Sequence, residues 1–220
     1  MKIFRKGIGI NCSRIHLSVL FVILFVNLFG LGACSSIPLE AATPDLTATP
    51  SPTPDASMQE ERVYAALVAD LYASSTLLVI MDRTQTSVLG LADTATYQHV
   101  GANLKTLTNE TMQDFKSNND ASHSLRASMV LGVKYILFSQ KDRQELFKIN
   151  QSGWDVFYNR YPDAPGIITF SRVGFNKTME QALVYLGIQS NWLAGFGNFY
   201  LLEKINGSWV IKEQVMSWIS

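Results

Sequence analysis

Apolar and polar residues alternate along this chain in four different ways. Leu17 to Leu31 is continuously apolar except for Ser18 and Asn27. Ser35 to Ser57 has almost no large apolar residue. From Met58 the spacing turns helical: Val63, Leu67 and Leu71, with Tyr64 and Val68, predict a helix over about 58–72. Ser57 and Glu60 have capping-box spacing at its start. "TLLVIMDRT" (76–84) and "VKYILFS" (133–139) read as strands. Between them, 94–107 carries a weak helical pattern, and a short helix begins at Thr108 or Asn109. Ser139 caps a helix reaching Phe147. A further helix over 153–161 sets Trp154, Phe157, Tyr158 and Tyr161 on one side, and Pro162 ends it.

The last third is strand-like. "GIITFSRVGF", "EQALVYLGIQ", "GNFYLLEKI" and "SWVIKEQVMSWI" are four such runs. Asn206-Gly207 between the last two is a hairpin signal, because a type I′ turn needs positive φ at both central residues. Asn176 to Met179 closes the first pair. Helices first and locally connected strands afterwards predict an α+β fold. The expectation is N-terminal helices packed on one face of a curved C-terminal antiparallel sheet, a meander of about four strands. An NTF2-like or cystatin-like cone is among its candidate topologies.

Composition narrows the chemistry. Lysines and arginines number 18, as do aspartates and glutamates, so there is no electrostatic pull toward nucleic acid. The two cysteines, Cys12 and Cys34, precede the part that reads as folded, which leaves that part no internal disulfide or cysteine metal cluster. The run of apolar residues at 17–31 falls short of the ~20 that a spanning helix needs. With Lys2, Arg5, Lys6 and Arg14 before it, it has the form of a secretory signal. "LGAC", Leu31 to Cys34, resembles the bacterial lipobox, which implies lipidation of Cys34 and cleavage just before it. The expected organisation is a signal peptide over 1–33, then a lipidated cysteine and Pro/Thr/Ser-rich linker over 34–57. A single α+β domain follows over 58–220. The lipid would anchor the protein in the cell membrane or outer membrane, facing outside the cytoplasm. The Thr-Pro units would hold the domain some tens of Å away, at ~3 Å per residue. Four Asn-x-Ser/Thr triplets begin at Asn109, Asn150, Asn176 and Asn206; beside a lipobox they read as turn and surface residues.

The C-terminal sequence is similar to a group of uncharacterised bacterial secreted proteins and lipoproteins. The matching residues are Trp154, Tyr161-Pro162, Ser171 to Asn176, Gln181 to Tyr185, Gly195 with Gly197, and Trp218 to Ser220. "IMDRT" (80–84) and "TMQDFKSN" (111–118) extend the likeness, which runs from about Thr76 to the end. The group often has Gly-Ala-Gly before the third strand, where this chain has Gly195-Phe-Gly197. The resemblance implies no activity.

Candidate chemistry is sparse. Ser171 and Arg172 sit in a strand-like run, with Asn176 and Gln181 on the same hairpin. An arginine on a concave sheet face binds a carboxylate or phosphate bidentately. The other role open to Arg172 is a structural pairing with an acid. Trp192 lies in "NWLAGFG", a glycine-bearing loop whose aromatics suit a ligand or partner contact, or else close the core. A Ser-His-acid hydrolase lacks its Gly-x-Ser-x-Gly elbow, and His99 and His123 lie in polar stretches without zinc-ligand spacing. Asp82 and Glu203 are a conceivable glycosidase pair, with Glu203 in a surface cross-strand ion pair as the plainer reading. The reading is therefore a non-enzymatic, lipid-tethered domain, without metal or cofactor, that binds a small molecule, glycan or protein. The alternative is an envelope hydrolase using Ser171 or a carboxylate.

Overall fold

The computed structural model describes residues 55–86, 94–148 and 152–220, all within one unit, Pro50–Ser220. The signal, Cys34 and linker readings lie outside the described residues. Among the described residues, five helices and seven strands follow in the order α1 (Ala56–Leu71), β1 (Leu78–Met81), α2 (Thr94–Asn103), α3 (Asn109–Asn118), β2 (Tyr135–Phe138), α4 (Gln140–Phe147), α5 (Gly153–Arg160), β3 (Ile167–Phe170), β4 (Gly174–Phe175), β5 (Gln181–Asn191), β6 (Ala194–Ile205) and β7 (Ser208–Ile219). Among the described residues no helix is long and apolar enough to cross a membrane.

The fold is α+β, but the sheet is larger than a four-stranded meander. Its order is β2-β1-β3-β5-β6-β7, with β4 also paired to β5. β5, β6 and β7 form the expected antiparallel meander. β1, however, runs parallel to both β2 and β3, so the sheet is mixed. Local turn signals cannot announce such pairing, because parallel neighbours are joined by long crossovers.

Helices cover both faces, which corrects the one-face expectation. Strand side chains alternate between faces. Leu78, Ile80, Ile168, Phe170, Val184 and Tyr200 pack with Val63, Tyr64, Leu67 and Val68 of α1. Their neighbours point the other way. Leu183, Tyr185, Phe199 and Leu201 meet Val100, Leu104, Met112 and Phe115 of the α2–α3 segment. Val79, Met81 and Ile167 meet Leu146, Trp154 and Phe157 of α4 and α5. Each fully buried side chain of this size contributes roughly 1.5–3 kcal/mol.

Local signals were met unevenly. Ser139 does cap α4, in a box with Asp142, and Thr108 caps α3. Asn206 and Gly207 have φ of 51° and 81°, as the hairpin requires. The Ser57 capping box does not form: Asp55 caps α1 and accepts from the Ser57 amide at 2.9 Å. Glu60 is engaged elsewhere, as described below. "GIITFSRVGF" is not one strand but β3 and β4, broken at Ser171–Val173. The glycine-bearing loop expected over "NWLAGFG" is also mostly strand. Trp192 and Leu193 alone join β5 to β6, and Gly195 and Gly197 belong to β6.

Candidate functional site

The break between β3 and β4 gathers most of the candidate residues. Ser171 turns inward there and is fully buried. Its backbone N–H still donates to the Tyr185 carbonyl at 3.0 Å. Its hydroxyl accepts from the Tyr185 N–H at 2.8 Å and donates to the Arg172 carbonyl at 2.8 Å. Ser171 Oγ thus replaces the backbone acceptor that β5 loses where the strand breaks. A hydroxyl buried and engaged in this way is not presented to a substrate.

Arg172 therefore sits in the break, not inside a strand. Asn119, at the end of α3, clamps its backbone: Asn119 Oδ1 accepts from the Arg172 N–H at 2.8 Å, and Asn119 Nδ2 donates to the Arg172 carbonyl at 3.0 Å. Glu60, from α1, holds the side chain. Its Oε1 accepts from Arg172 Nε at 2.7 Å and from the Val173 N–H at 3.0 Å. The Tyr64 hydroxyl lies 3.0 Å from the same oxygen and 2.8 Å from the Ser171 carbonyl. Burial first, then the Glu60 carboxylate, pushes the Tyr64 hydroxyl well above its usual pKa, which keeps it a neutral donor. Burial pulls the other way on Arg172, but the hydrogen bond and charge of Glu60 outweigh it and raise its pKa. The guanidinium stays charged.

The pair separates two clefts. One, about 800 Å³, is lined by Glu60, Arg172, Asp114, Asn118, Phe175, Asn176 and Lys177. The other, about 250 Å³, holds Glu61, Tyr64, His123, Arg126 and Met129 beside the same Glu60 and Arg172. The acids of these walls are already engaged. Asp114 accepts from the Phe175 N–H at 2.7 Å and from Asn118 Nδ2 at 3.0 Å. Glu110 pairs with Lys177 at 3.1 Å, and Glu61 with Arg126 at 2.6 Å. Arg172 differs. Only Nε is bonded, and among the described residues nothing accepts from its two η nitrogens. Its side chain is 29% exposed. A charged fork with free ends at the seam of two clefts suits a carboxylate or phosphate.

The remaining candidates are placed differently. Asn176 lines the larger cleft, but its Oδ1 accepts from the Glu180 and Gln181 amides at 2.9 and 3.0 Å, which holds the β4–β5 turn. Gln181 is buried and fastens the start of α3: its Oε1 accepts from the Thr108 N–H and the Thr111 hydroxyl, both at 2.9 Å, and its Nε2 donates to the Thr106 carbonyl. Trp192 lies at the opposite end of β5, roughly 30 Å away at strand rise. There its ring meets Phe147 edge-on at 5.4 Å. Asp82 and Glu203 are three strands and about five residues apart, about 20 Å by sheet spacing, well beyond the roughly 5–9.5 Å of a glycosidase pair. Glu203 forms a cross-strand pair with Lys212 at 3.7 Å. Among the described residues no group of three His, Cys, Asp or Glu side chains is placed to hold a metal ion.

Sequence reasoning missed Glu60, Asp114 and Asn119. Glu60 was absorbed into a capping-box reading. Asp114 and Asn118 share a face of α3 at i and i+4, a polar stripe flanking the buried Thr111, Met112 and Phe115 that is legible in "TMQDFKSN".

No family model matches this chain. No curated protein matches it, and neither does any solved structure.

Proposed function

We propose that this chain is a lipid-anchored, non-enzymatic binding domain held outside the cytoplasm, in keeping with its resemblance to bacterial secreted proteins and lipoproteins. Its Arg172 cleft takes a small ligand bearing a carboxylate or phosphate. One observation carries the ligand class: a guanidinium fixed through Nε, with both η nitrogens unengaged among the described residues, between two clefts. Binding is favoured over hydrolysis because Ser171 Oγ is spent on the backbone and the Asp82–Glu203 pair is not assembled. The meander with α1 laid on it supports a cone-like layout, NTF2-like or cystatin-like, for that half of the sheet.

Calorimetric titration of the full chain in detergent, with inorganic phosphate and with succinate, tests the ligand class. Saturable binding of one of them is expected, weakened at least about tenfold in Arg172→Gln and partly recovered in Arg172→Lys. Absence of binding, or equal binding by Arg172→Gln with the fold kept, would overturn this reading. Labelling with a fatty-acid analogue tests the anchor separately: label should be incorporated in the parent protein and lost in Cys34→Ser.

A further inference from the structure

A third cavity lies away from Arg172, between the helices of the second face. On that face α2 and α3 cover one region and α4 and α5 another. Between the two regions a single row crosses four strands: Thr169 pairs with Gly187, Gly187 with Gly197, and Gly197 with Trp218. Two of its four positions have no side chain, which leaves room above them for side chains from their neighbours. The cavity measures about 450 Å³ and is mostly apolar, walled by Met81, Ile167, Trp218 and Ile219.

The glycines are required by what stands there. A Cβ on Gly197 would fall 2.2 Å from Trp218 Nε1 and 2.3 Å from the Tyr185 hydroxyl oxygen. One on Gly187 would fall 2.6 Å from that same oxygen. Space is thus cleared for one pair, Trp218 Nε1 donating to the Tyr185 hydroxyl at 2.7 Å. Tyr185 is 3% exposed. Its hydroxyl accepts that bond, yet among the described residues nothing accepts its own proton. Burial raises its pKa, so the proton stays on. A buried donor without an acceptor costs about 1–3 kcal/mol unless something completes it.

Arg143 of α4 is the only charged side chain among the described residues lining this cavity. Its Nη2 donates to Gln189 Oε1 at 3.1 Å, which holds it at the rim, and among the described residues nothing accepts from its other N–H groups. A cation with no acidic side chain among the described residues of the wall, an unspent phenol proton and apolar walls define a ligand by complementarity: a small anion with an apolar body.

We propose that this cavity binds an apolar carboxylic acid. Its carboxylate accepts from the Tyr185 hydroxyl and from Arg143, and its hydrocarbon part lies against Met81, Ile167 and the Trp218 indole. The site is distinct from the Arg172 cleft and stands whether or not that cleft binds anything.

The probe is 4-phenylbutyrate, with 4-phenylbutyramide as its uncharged counterpart, titrated into the full chain by calorimetry and by tryptophan fluorescence. The acid is expected to bind saturably, and the amide at least about tenfold more weakly. Arg143→Gln and Tyr185→Phe should each weaken the acid about tenfold or more. Trp218→Phe should abolish the fluorescence change while calorimetric heat persists. Arg172→Gln should leave this binding unchanged, which separates this site from the other. Arg143 is half-buried at the rim, so Arg143→Gln carries the test even if Tyr185→Phe unfolds. No binding of the acid, equal binding of acid and amide, unaltered binding by folded Arg143→Gln, or loss in Arg172→Gln would each overturn the proposal.

Discussion

At the scale of single residues, the lesson lies in Ser171. In sequence it is a serine beside an arginine, which invites a nucleophile. In the structure its hydroxyl carries the hydrogen bonding of a strand break: it accepts from the Tyr185 N–H, which no backbone carbonyl reaches. Ser171→Ala should therefore act on stability. It leaves a buried N–H without an acceptor and costs about 2 kcal/mol, which is several degrees of thermal midpoint for a domain of this size. Thermal unfolding of the variant measures it; an unchanged midpoint would mean the hydroxyl is dispensable, which would reopen a chemical role. The same break explains how much of the site was legible. Arg172 was singled out because an arginine in an apolar strand run is conspicuous. Its partners were not, because Glu60 comes 112 positions earlier in the chain and Asn119 53 positions earlier. Nothing in local spacing links a helix acid to a strand arginine across such distances.

At the scale of elements, local rules succeeded wherever the deciding interaction is local. Ser139 and Asp142 cap α4 reciprocally, and Asn206-Gly207 makes its turn, because those bonds close within a few residues. Local rules failed where a tertiary partner competed. Glu60 has the spacing for a capping box but spends Oε1 on Arg172 and Val173, and Asp55 takes over the cap. "GIITFSRVGF" has strand composition throughout, yet Ser171 folds inward and divides it. The β6–β7 turn gives a direct check on the successful class. Gly207 has φ of 81° and open space where a Cβ would go, so Gly207→Ala tests backbone strain alone. The expected loss is about 1 kcal/mol, read from the denaturation midpoint at unchanged m-value. A neutral outcome would show that the turn relaxes into another type at no cost.

At the scale of the whole molecule, the sheet is two unequal halves joined at a narrow seam. β5 and β6 pair along nearly their full lengths, from Gln181 with Glu203 to Asn191 with Ala194. Residues 181–188 of β5 are all buried. β1 meets β3 only at Val79 with Ile167 and Ile80 with Ile168. Beyond that seam, β2 bonds to β1 along one edge, and Tyr135 to Leu137 are half-buried. The second-face core of this half, built on Phe138, Leu146, Trp154 and Phe157, meets β3 at Ile167 and is tied to the far end of β5 by Arg143 on Gln189, Tyr158 on the Ser190 carbonyl and Phe147 on Trp192. Local stability follows such differences in pairing and burial. Hydrogen exchange under native conditions should show the amides of Ala182 to Leu186 and Phe199 to Leu202 opening only with global unfolding. Those of β2, with the adjoining turns of α4 and α5, should exchange at least about tenfold faster, through an opening that leaves the meander intact. The first face argues against a larger gap: α1 packs on Leu78 and Ile80 as well as on Val184 and Tyr200, and so bridges the seam. Equal protection in β2 and β5 would mean that this bridge outweighs the short β1–β3 pairing, and that the seven strands unfold as one cooperative unit. Faster exchange in β2 alone, with α4 and α5 as slow as β5, would place the weak line at the outer strand edge instead of the seam.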